Sequence, residues 1–487
     1  MSIIRLDILS HADFHGHFRQ DEDYPGLSRF YCAIEQIREK NPEYTLLLDA
    51  GDNTNKTLWP ANKVFEGLKL LKTDCFVLGN HEFDKGRDVL LENVKTCSKL
   101  LPVLCCNIID KNTNELIENT LPYTILTKGE LKIGIVGATT QYIGNIVEQS
   151  SFSDFELIDT VNQIRKYVLL LKQQKKVDII IVLSHFPFYF KDGESGELFE
   201  CLNELKDLPI DVFIGGHIPG DYCKQYQGVT VCKAGFGGVS LADAVLYYDS
   251  EKKKIVDRQC QIIDVLNSCH KHDEKIDCFV EKVVAPYNDF YQKPLAVAVE
   301  DINMRLAYES PLGDLIADAV RDYFKVDFAY FNTTSCGQKI RKGTITRYSI
   351  HKAIAFNETI QLSSFDSKRI YELFRTVLDE ERFGNNANIF FSGLKVIYNC
   401  ESKELKILHL DGSKLDETKK YLVATSKYMS TGGNDTKEVV KDIIWKDSLI
   451  HTHDIIAQYL SSKKEIKSCI DNRYDIIGKL PNDNSPW

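Results

Sequence analysis

Short apolar runs alternate with longer amphipathic segments through the first half of the chain. The runs are rich in Ile, Val and Leu, which is typical of strands buried on both faces. Segments with helical periodicity lie between several of them, at 27–40, 88–100 and 159–175. Alternating strands and helices predict an α/β layered domain. The runs are Ile3–Leu9, Tyr44–Leu48, Cys75–Leu78, Pro102–Cys106, Leu131–Val136, Val177–Leu183 and Val212–Ile214.

The pattern changes near residue 250, which predicts a second domain. The charged stretch DSEKKKIVDRQ is typical of a hairpin, and Asp273–Tyr291 has the periodicity of an exposed connecting helix. From about Asp301 a helix over Ser310–Phe324 is followed by short strands and helices. A chain of 487 residues also exceeds the size at which one core keeps growing. We therefore predict a first domain over 1–270, a linker helix over 271–300 and a second domain over 301–480.

Polar side chains follow five of the predicted strands, in the segments SHADFHGH, DAGD, GNHEFD, SHFPF and GGHIPGD. Ligands of open α/β sheets bind beyond the carboxyl ends of the strands, so these segments predict one converging site. Imidazole and carboxylate groups together suit Zn²⁺, Mn²⁺ or Co²⁺, with Mg²⁺ as a further candidate. Two ions about 3.5–4 Å apart can hold both the attacking and the leaving oxygen of a phosphoryl transfer. The candidate ligands are Asp13, His15, Asp52, Asn80, His185 and His217.

An isolated polar residue capping a strand is the alternative for any single one of these histidines. Its recurrence at five strand ends, in a chain with only 12 histidines, disfavours that alternative.

Composition narrows the class of protein. The net charge of −10 does not favour nucleic acid polymers or anionic membranes as partners. The 14 cysteines form no CxxC pair, which is typical of reduced, buried thiols, and no run of about 18 apolar residues is present. With no signal peptide in the sequence, we expect a cytoplasmic protein without a membrane anchor. The oligomeric state is left open.

The ordered series DFHGH, GD, GNHEFD, SH and GGH resembles the calcineurin-like metallophosphoesterases. GNHEFD followed by a second domain resembles the 5'-nucleotidase family in particular, over nearly the whole chain. The resemblance implies a four-layered αββα metallophosphoesterase domain joined by a helix to a C-terminal α/β nucleotide-binding domain.

The same resemblance implies how the metals are held. The first ion would be bound by Asp13, His15 and the bridging Asp52, and the second by Asp52, Asn80, His185 and His217. Two residues after the final motif histidine the family has His, Gln or Asn, whereas this chain has Pro219. Proline has no side-chain donor atom, so the first ion should be one ligand short and rely on water or on Asp221.

His81 and Asp84 are implied to be the catalytic dyad that meets the phosphate. Asp84 would orient the imidazole, and His81 would stabilise negative charge on the phosphoryl or leaving oxygen while a metal-bound hydroxide attacks. A helix N-cap is the alternative role of Asp84. His11 and His17, which crowd the first motif, are expected to support ligands or lie at the surface.

The second half carries the residues that the resemblance implies for the nucleotide. Phe356 and Tyr428 would sandwich the base, and a place in the core is their alternative. The family's closing GGD is Gly432-Gly433-Asn434 here, with Asp435 displaced by one residue. Asn332, Arg341, Arg305 and Asn434 complete the candidate substrate-binding set.

The leading hypothesis is metal-dependent hydrolysis of nucleoside 5'-monophosphates or related phosphomonoesters. The alternatives are a phosphodiesterase or pyrophosphatase acting on cyclic nucleotides, nucleotide sugars or dinucleotides, and a weakly catalytic nucleotide-binding protein. A fold alone does not choose among these substrates.

Overall fold

The structure is a computed structural model that describes residues 3–54, 59–189, 194–304, 309–354, 356–378 and 389–478. It divides into two compact units, Met1–Pro286 and Tyr287–Trp487. Arg305, one of the candidate substrate-binding residues, lies outside the described residues.

Strands dominate the first unit. They form two six-stranded sheets within the described residues, in the orders β15-β14-β1-β2-β3-β4 and β12-β13-β11-β10-β8-β7, and a small sheet β6-β5-β9. The strands are β1 (Ile3–His11), β2 (Thr45–Asp49), β3 (Cys75–Val77), β4 (Val103–Leu104), β5 (Ile108–Asp110), β6 (Glu115–Leu116), β7 (Tyr123–Lys128), β8 (Leu131–Thr139), β9 (Phe155–Leu157), β10 (Ile179–His185), β11 (Val212–Ile214), β12 (Tyr222–Tyr226), β13 (Val229–Lys233), β14 (Ser240–Asp249) and β15 (Lys254–Asp264).

The first unit also contains helices, several of which cover the outer faces of the two large sheets. They are α1 (Gly26–Arg38), α2 (Ala61–Leu70), α3 (Arg87–Cys97), α4 (Ile143–Ile146), α5 (Gln149–Phe152), α6 (Thr160–Leu169), α7 (Glu197–Glu204), α8 (Val265–Ser268) and α9 (Glu274–Val284), with a π-helical continuation of α6 over Leu170–Lys175.

The layers follow from the burial of both faces of each sheet. Leu6, Leu48 and Ile181 belong to one apolar cluster between the two large sheets. On the outer face of the second sheet, α6 and α7 pack against β8 and β10. On the outer face of the first, Phe65 of α2 lies 6.4 Å from Phe76 of β3 between ring centroids. The unit is therefore the four-layered αββα domain that the resemblance implies.

Most of the strands and helices predicted for this unit are present, with shifted ends. The structure also contains two long strands beyond the predicted apolar runs. Strands β14 and β15 form a pair on either side of the charged turn near residue 250, and β14 also pairs with β1 along its length. The predicted connecting helix begins as α9, whose N-cap is Asp273 and which packs on α1, with Phe279 lying 5.7 Å from Phe18 between ring centroids.

The second unit is also α/β. Its sheets have the orders β18-β16-β25, β20-β17-β23-β19-β24 and β22-β21-β26. Helix α11 starts where predicted, because the Ser310 hydroxyl accepts a hydrogen bond from Gly313 N and Pro311 occupies the first turn. The strands are β16 (Pro294–Ala298), β17 (Phe328–Asn332), β18 (Gly343–Thr346), β19 (Thr359–Phe365), β20 (Ile389–Ser392), β21 (Leu394–Asn399), β22 (Leu405–His409), β23 (Tyr421–Ser426), β24 (Lys446–His451), β25 (Glu465–Ile466) and β26 (Tyr474–Ile477). The helices are α10 (Asn288–Tyr291), α11 (Pro311–Phe324), α12 (Arg347–Ala353), α13 (Ser367–Val377), α14 (Lys427–Ser430), α15 (Lys437–Val440) and α16 (Thr452–Lys463).

Candidate metal centre

The polar segments lie at the carboxyl ends of parallel strands. In the first sheet β1, β2 and β3 run parallel, and in the second β10 and β11 do. The stacked sheets bring these five ends together, as His217 N donates to Asp13 Oδ2 at 3.1 Å and His185 Nδ1 lies 2.6 Å from Ala50 O. The converging site predicted from the sequence is therefore present in the geometry of the unit.

A first cluster of ligand atoms comes from Asp13, His15 and Asp52. One ligand atom of each residue lies within 4.8 Å of the other two, and all three side chains are buried. His15 Nε2 is 4.0 Å from Asp13 Oδ1. Two carboxylates and one imidazole are a donor set that divalent transition metals accept.

A second cluster comes from Asp52, His185 and His217, again within 4.8 Å of one another. His185 Nε2 lies 3.1 Å from Asp52 Oδ2, and His217 Nδ1 lies 2.7 Å from Asn80 Oδ1. Asn80 thus adds its side-chain oxygen to this cluster. Asp52 belongs to both clusters, which is the arrangement of a carboxylate shared by two cations.

The state of these groups fits bound cations. Asp13 Oδ1 is buried without a hydrogen-bond partner among the described residues, and the buried His185 Nε2 faces Asp52 Oδ2 at 3.1 Å. Burial raises the pKa of Asp13 to about 6, although the nearby His185 opposes the shift. Burial by itself would lower the pKa of His185, but the charge and hydrogen bond of Asp52 outweigh it and raise that pKa to about 10. Cations would compensate the buried carboxylates and, on binding, would take the place of the proton on His185 Nε2.

Several of the same residues have strained backbone conformations. Asp13, His15, Asp52 and His217 have φ values of 53°, 48°, 62° and 75°, in the left-handed region that residues other than glycine rarely adopt. Such strain persists where surrounding structure enforces it, and it concentrates at functional sites. Gly79 is required by the same crowding, because a Cβ there would lie 2.1 Å from Asp52 Oδ1.

Glu82 is a residue of the site that the sequence reasoning missed. Its carboxylate is 4% exposed and accepts hydrogen bonds from the backbone N–H groups of Asp52, Asn53, Thr54 and Gly79 at 2.8–3.0 Å. Burial raises its pKa, and the charge of Asp52 adds to the effect. Glu82 therefore ties the loop after β2 to the loop after β3. Its position within the motif GNHEFD was the feature of the sequence that could have identified it.

His185 makes a further contact that orients its ring, and two other histidines lie near the first motif. His185 Nδ1 donates to Ala50 O at 2.6 Å, which leaves Nε2 as the nitrogen facing Asp52. His11 is buried, its pKa is lowered to about 3 by burial, and its Nε2 lies 3.8 Å from Asp49 Oδ2. The His11 ring packs against Phe30 with 5.3 Å between ring centroids, whereas His17 is stacked on Tyr24 with 3.6 Å between ring centroids.

His81 and Asp84 form the contact expected of a dyad. His81 Nδ1 is 2.6 Å from Asp84 Oδ2, and His81 Nε2 is 3.9 Å from Asp52 Oδ2. The backbone N–H of His81 donates to Asp52 Oδ1 at 2.9 Å. Asp84 is not the N-cap of α3, since Gly86 occupies that position.

Asp221, which was expected to compensate for the side-chain donor missing at Pro219, has a different partner. The Asp221 carboxylate is exposed and accepts a hydrogen bond from Ser240 Oγ at 2.5 Å, and it belongs to neither of the two ligand clusters at this site. Lys233, which the sequence reasoning did not single out, is fully buried, and its ammonium donates to Gly220 O. Burial lowers the pKa of Lys233 to about 8, while Asp13 and Asp221 oppose that shift.

The second unit brings together three of the candidate substrate-binding segments. Tyr428 N donates to Glu358 Oε2 at 3.0 Å, two residues after Phe356. The Tyr428 hydroxyl lies 3.5 Å from Asn434 Oδ1 and accepts from Asn434 N at 3.3 Å. Tyr428 is partly buried against the core and Phe356 is half-buried, so neither ring is wholly enclosed.

Asn332 and Arg341 have different surroundings. Asn332 is buried, donates to Thr334 Oγ1 at 2.5 Å and accepts from Ser335 Oγ at 2.7 Å, so its side chain holds its own turn. Arg341 is exposed.

Two family models match the chain. The calcineurin-like phosphoesterase model matches residues 7–221, and the 5'-nucleotidase C-terminal domain model matches residues 295–442. Among the described residues, no helix has the length and apolar character needed to cross a bilayer.

Similar proteins extend over nearly the whole chain. Protein UshA of Yersinia enterocolitica is 25% identical over 98% of this chain and 94% of its own length. A 5'-nucleotidase of Vibrio vulnificus is 26% identical over 92% of this chain and 91% of its own length. The crystal structure of a 5'-nucleotidase precursor from Thermus thermophilus has the same fold, with a TM-score of 0.82, 20% identity and coverage of 98% of this chain and 100% of that one.

Proposed function

The chain belongs to the 5'-nucleotidase family of the calcineurin-like metallophosphoesterases, and from this premise we propose that it hydrolyses nucleoside 5'-monophosphates or related phosphomonoesters. It is a phosphoric ester hydrolase that uses divalent metal ions. The observation that carries the proposal is the position of Asp52, which is shared by two ligand clusters and lies beside the His81–Asp84 pair.

Each group of the first unit has a chemical task in this proposal. Asp13 and His15 would hold one cation, Asn80, His185 and His217 the other, and Asp52 both. Bound there, two divalent ions supply Lewis-acid charge and lower the pKa of a coordinated water. His81 would donate a hydrogen bond or a proton toward the phosphoryl or leaving oxygen, and Asp84 would keep its ring in the required orientation.

The proposed identity of the metals rests on the donor set. Three imidazoles and two carboxylates favour Mn²⁺, Zn²⁺ or Co²⁺ over Mg²⁺, which prefers oxygen ligands and retained waters. We propose Mn²⁺, Zn²⁺ or Co²⁺ as the activating ions, and we expect the highest phosphate release with these three in a comparison at equal concentration.

The second unit would bind the nucleoside part. Phe356 and Tyr428 are proposed to stack on the base, and Asn434, held by the Tyr428 hydroxyl, is proposed to contact the ribose. Stacking on one aromatic ring contributes about 1–3 kcal/mol per base, which corresponds to about 5- to 150-fold in affinity. Arg341 and Arg305 remain proposed contacts of the phosphate, and Asn332 a proposed support of its loop.

Released phosphate tests the proposal directly. Purified protein supplemented with Mn²⁺ would be assayed on 5'-mononucleotides, cyclic mononucleotides, dinucleotides and glycerol phosphate, with the Asp52→Asn variant as a control for contaminating phosphatases. We expect release from 5'-mononucleotides that Asp52→Asn lacks. Hydrolysis confined to diesters or pyrophosphates would contradict the proposed substrate class.

Aromatic substitutions separate base recognition from chemistry. Phe356→Ala and Tyr428→Ala should raise KM for a 5'-mononucleotide by about 5- to 150-fold and leave hydrolysis of glycerol phosphate unchanged, since that ester has no base to stack. Phe290→Ala, an exposed aromatic residue of the same unit, is the matched control. Equal losses on both substrates would assign the two rings to the core.

We also propose a cytoplasmic location. All 14 cysteines are free thiols in the structure, which is typical of a reducing compartment. Fractionation of cells that express the native gene tests this placement.

A further inference from the structure

Two thiols of the first unit lie next to each other at the base of the loop that carries His217. Cys223 of β12 and Cys232 of β13 are direct cross-strand partners, and their Sγ atoms are 2.8 Å apart. Both are free cysteines, with Cys232 buried and Cys223 partly exposed. The contact joins residues that are neighbours through hairpin pairing, and it does not involve the candidate ligands.

The register suits a covalent bond between them. The hairpin turns through Gln227 and Gly228, whose φ values of 49° and 86° are those of a type I′ turn. Tyr226 and Val229 close this turn as a hydrogen-bonded pair, and pairs alternate along an antiparallel ladder. Cys223 and Cys232 therefore form a pair without backbone hydrogen bonds, in which Cα atoms are about 4.5 Å apart. That separation lies within the range of about 4.4–6.8 Å found for disulfides.

This pair also frames the 215–221 loop, which carries His217. Gly215 N at the start of the loop donates to Cys232 O at 2.9 Å. Near its end, Gly220 O accepts from the ammonium of Lys233, the residue after Cys232. Cys223 follows Tyr222, which pairs with Lys233. Any bond that locks β12 to β13 here restrains both ends of the loop.

We propose that Cys223 and Cys232 are a modification site, at which oxidation forms an intramolecular disulfide that restrains the His217 loop. The oxidant is a small-molecule disulfide such as oxidised glutathione. The Cys223 thiolate attacks it, forms a mixed disulfide and releases one thiol. The Cys232 thiolate then attacks Cys223 Sγ and releases the second thiol, so the protein loses two electrons and two protons and the oxidant gains them.

A third thiol, that of Cys260, is a competing disulfide partner for Cys223. Cys260 of β15, on the other large sheet, has its pKa raised to about 12 by burial and by the proximity of Cys223. The contact with Cys232 and burial also raise the pKa of Cys223, so thiolate is scarce and oxidation is slow. Incubation with the oxidant must therefore be long.

The test uses the full-length, metal-loaded protein kept in dithiothreitol or incubated overnight with oxidised glutathione. Thiols are then labelled under denaturing conditions, and peptides are mapped without reduction. We expect two fewer labelled thiols in the oxidised sample, a Cys223–Cys232 cross-link, and several-fold slower loss of metal to a chelator. The Cys223→Ser and Cys232→Ser variants should lose all three effects, whereas Cys260→Ser should keep them.

Each other outcome overturns the proposal. Full labelling of both cysteines after incubation would show that the pair does not oxidise. A Cys223–Cys260 cross-link would assign the wrong partner. A Cys223–Cys232 bond with unchanged metal loss would remove the link to the His217 loop.

Discussion

Adjacent side chains of the segment Gly79–Asp84 face different partners. Asn80 Oδ1 lies against His217, the ring of His81 against Asp84, and the Glu82 carboxylate against backbone N–H groups. One six-residue turn can thus contribute to metal binding, to catalysis and to loop structure. Substitutions at neighbouring positions should therefore have different signatures.

Replacement of His81 should separate chemistry from metal binding. We expect His81→Ala to reduce kcat by about 10²–10⁴, the usual contribution of a general acid–base group, with metal content unchanged. Asp84→Asn should reduce kcat less, because it affects only the orientation and charge of the ring. Steady-state rates on a 5'-mononucleotide, beside metal analysis of the same samples, check both.

His217→Ala is the matched comparison for these variants. It removes a proposed ligand, so metal content and rate should fall together. Loss of a metal ion in His81→Ala would instead identify His81 as a ligand.

Glu82→Gln should weaken the site without replacing a proposed ligand. The amide offers one acceptor oxygen in place of two and turns an NH₂ group toward buried N–H donors, which costs about 1–3 kcal/mol. We expect a lower free energy of unfolding and weaker metal retention, measured by urea denaturation and by metal titration. Glu92→Gln, at an exposed position of α3, is the control. Unchanged metal affinity would show that Glu82 only stabilises the fold.

At the scale of elements, the first turn of α11 holds a buried carboxyl. Asp314 is 4% exposed, and its Oδ2 has no hydrogen-bond partner among the described residues. Burial raises its pKa to about 8, although Arg473, 3.7 Å away, opposes the shift. The carboxyl therefore stays protonated in the folded chain at pH values where it ionises in the unfolded chain.

This difference gives a pH dependence of stability with a defined sign. Between about pH 4 and about pH 8 the folded state binds more protons at Asp314, so the free energy of unfolding falls as pH rises, by at most about 1.4 kcal/mol per pH unit. Asp314→Asn removes that slope, and its advantage over wild type should grow with pH across this window. Urea denaturation at several pH values measures it, with Asp475→Asn, at an exposed position of β26, as control. Parallel pH profiles for Asp314→Asn and wild type would contradict the assignment.

At the scale of the whole molecule, metal should stabilise one unit and not the other, since the proposed ligands all lie in Met1–Pro286. Chelation should abolish phosphate release, and Mn²⁺ should restore it. A ligand present at about 100 times its Kd stabilises the folded state by about 2.7 kcal/mol. Calorimetry of the full chain should therefore show a metal-dependent transition for the first unit only. Asp52→Asn, which lacks the shared carboxylate, should lose this dependence, and activity that survives exhaustive chelation would refute the two-metal proposal.

The metal content of the purified protein tests whether the first cluster holds its ion tightly. Pro219 offers no side-chain donor atom, and the Asp221 carboxylate accepts a hydrogen bond from Ser240 Oγ. We expect fewer than two tightly held equivalents of metal in the purified protein.

The local pattern of the sequence determined many of the strands and the candidate ligands of this protein. Strand β11 has the bounds that its apolar run predicts, and β1, β2, β3, β8 and β10 differ from prediction by a few residues, because a strand buried on both faces must be continuously apolar. The motifs at the ends of these strands supplied the candidate ligands, since carboxyl ends of parallel strands converge. The start of the helix predicted over Ser310–Phe324 was also close to that of α11, because the signals for a helix start come from neighbours in the chain.

Tertiary structure decided what depends on distant partners. The pairing of β14 with β1 joins residues more than 200 positions apart, and nothing in the local pattern near residue 250 specifies it. The sharing of Asp52, the clamp made by Glu82 and the left-handed backbone of Asp13 and His217 arise only when several loops are packed into one space. The Cys223–Cys232 contact likewise depends on hairpin register. Sequence determines which groups are available, whereas their distances, burial and charge are properties of the folded chain.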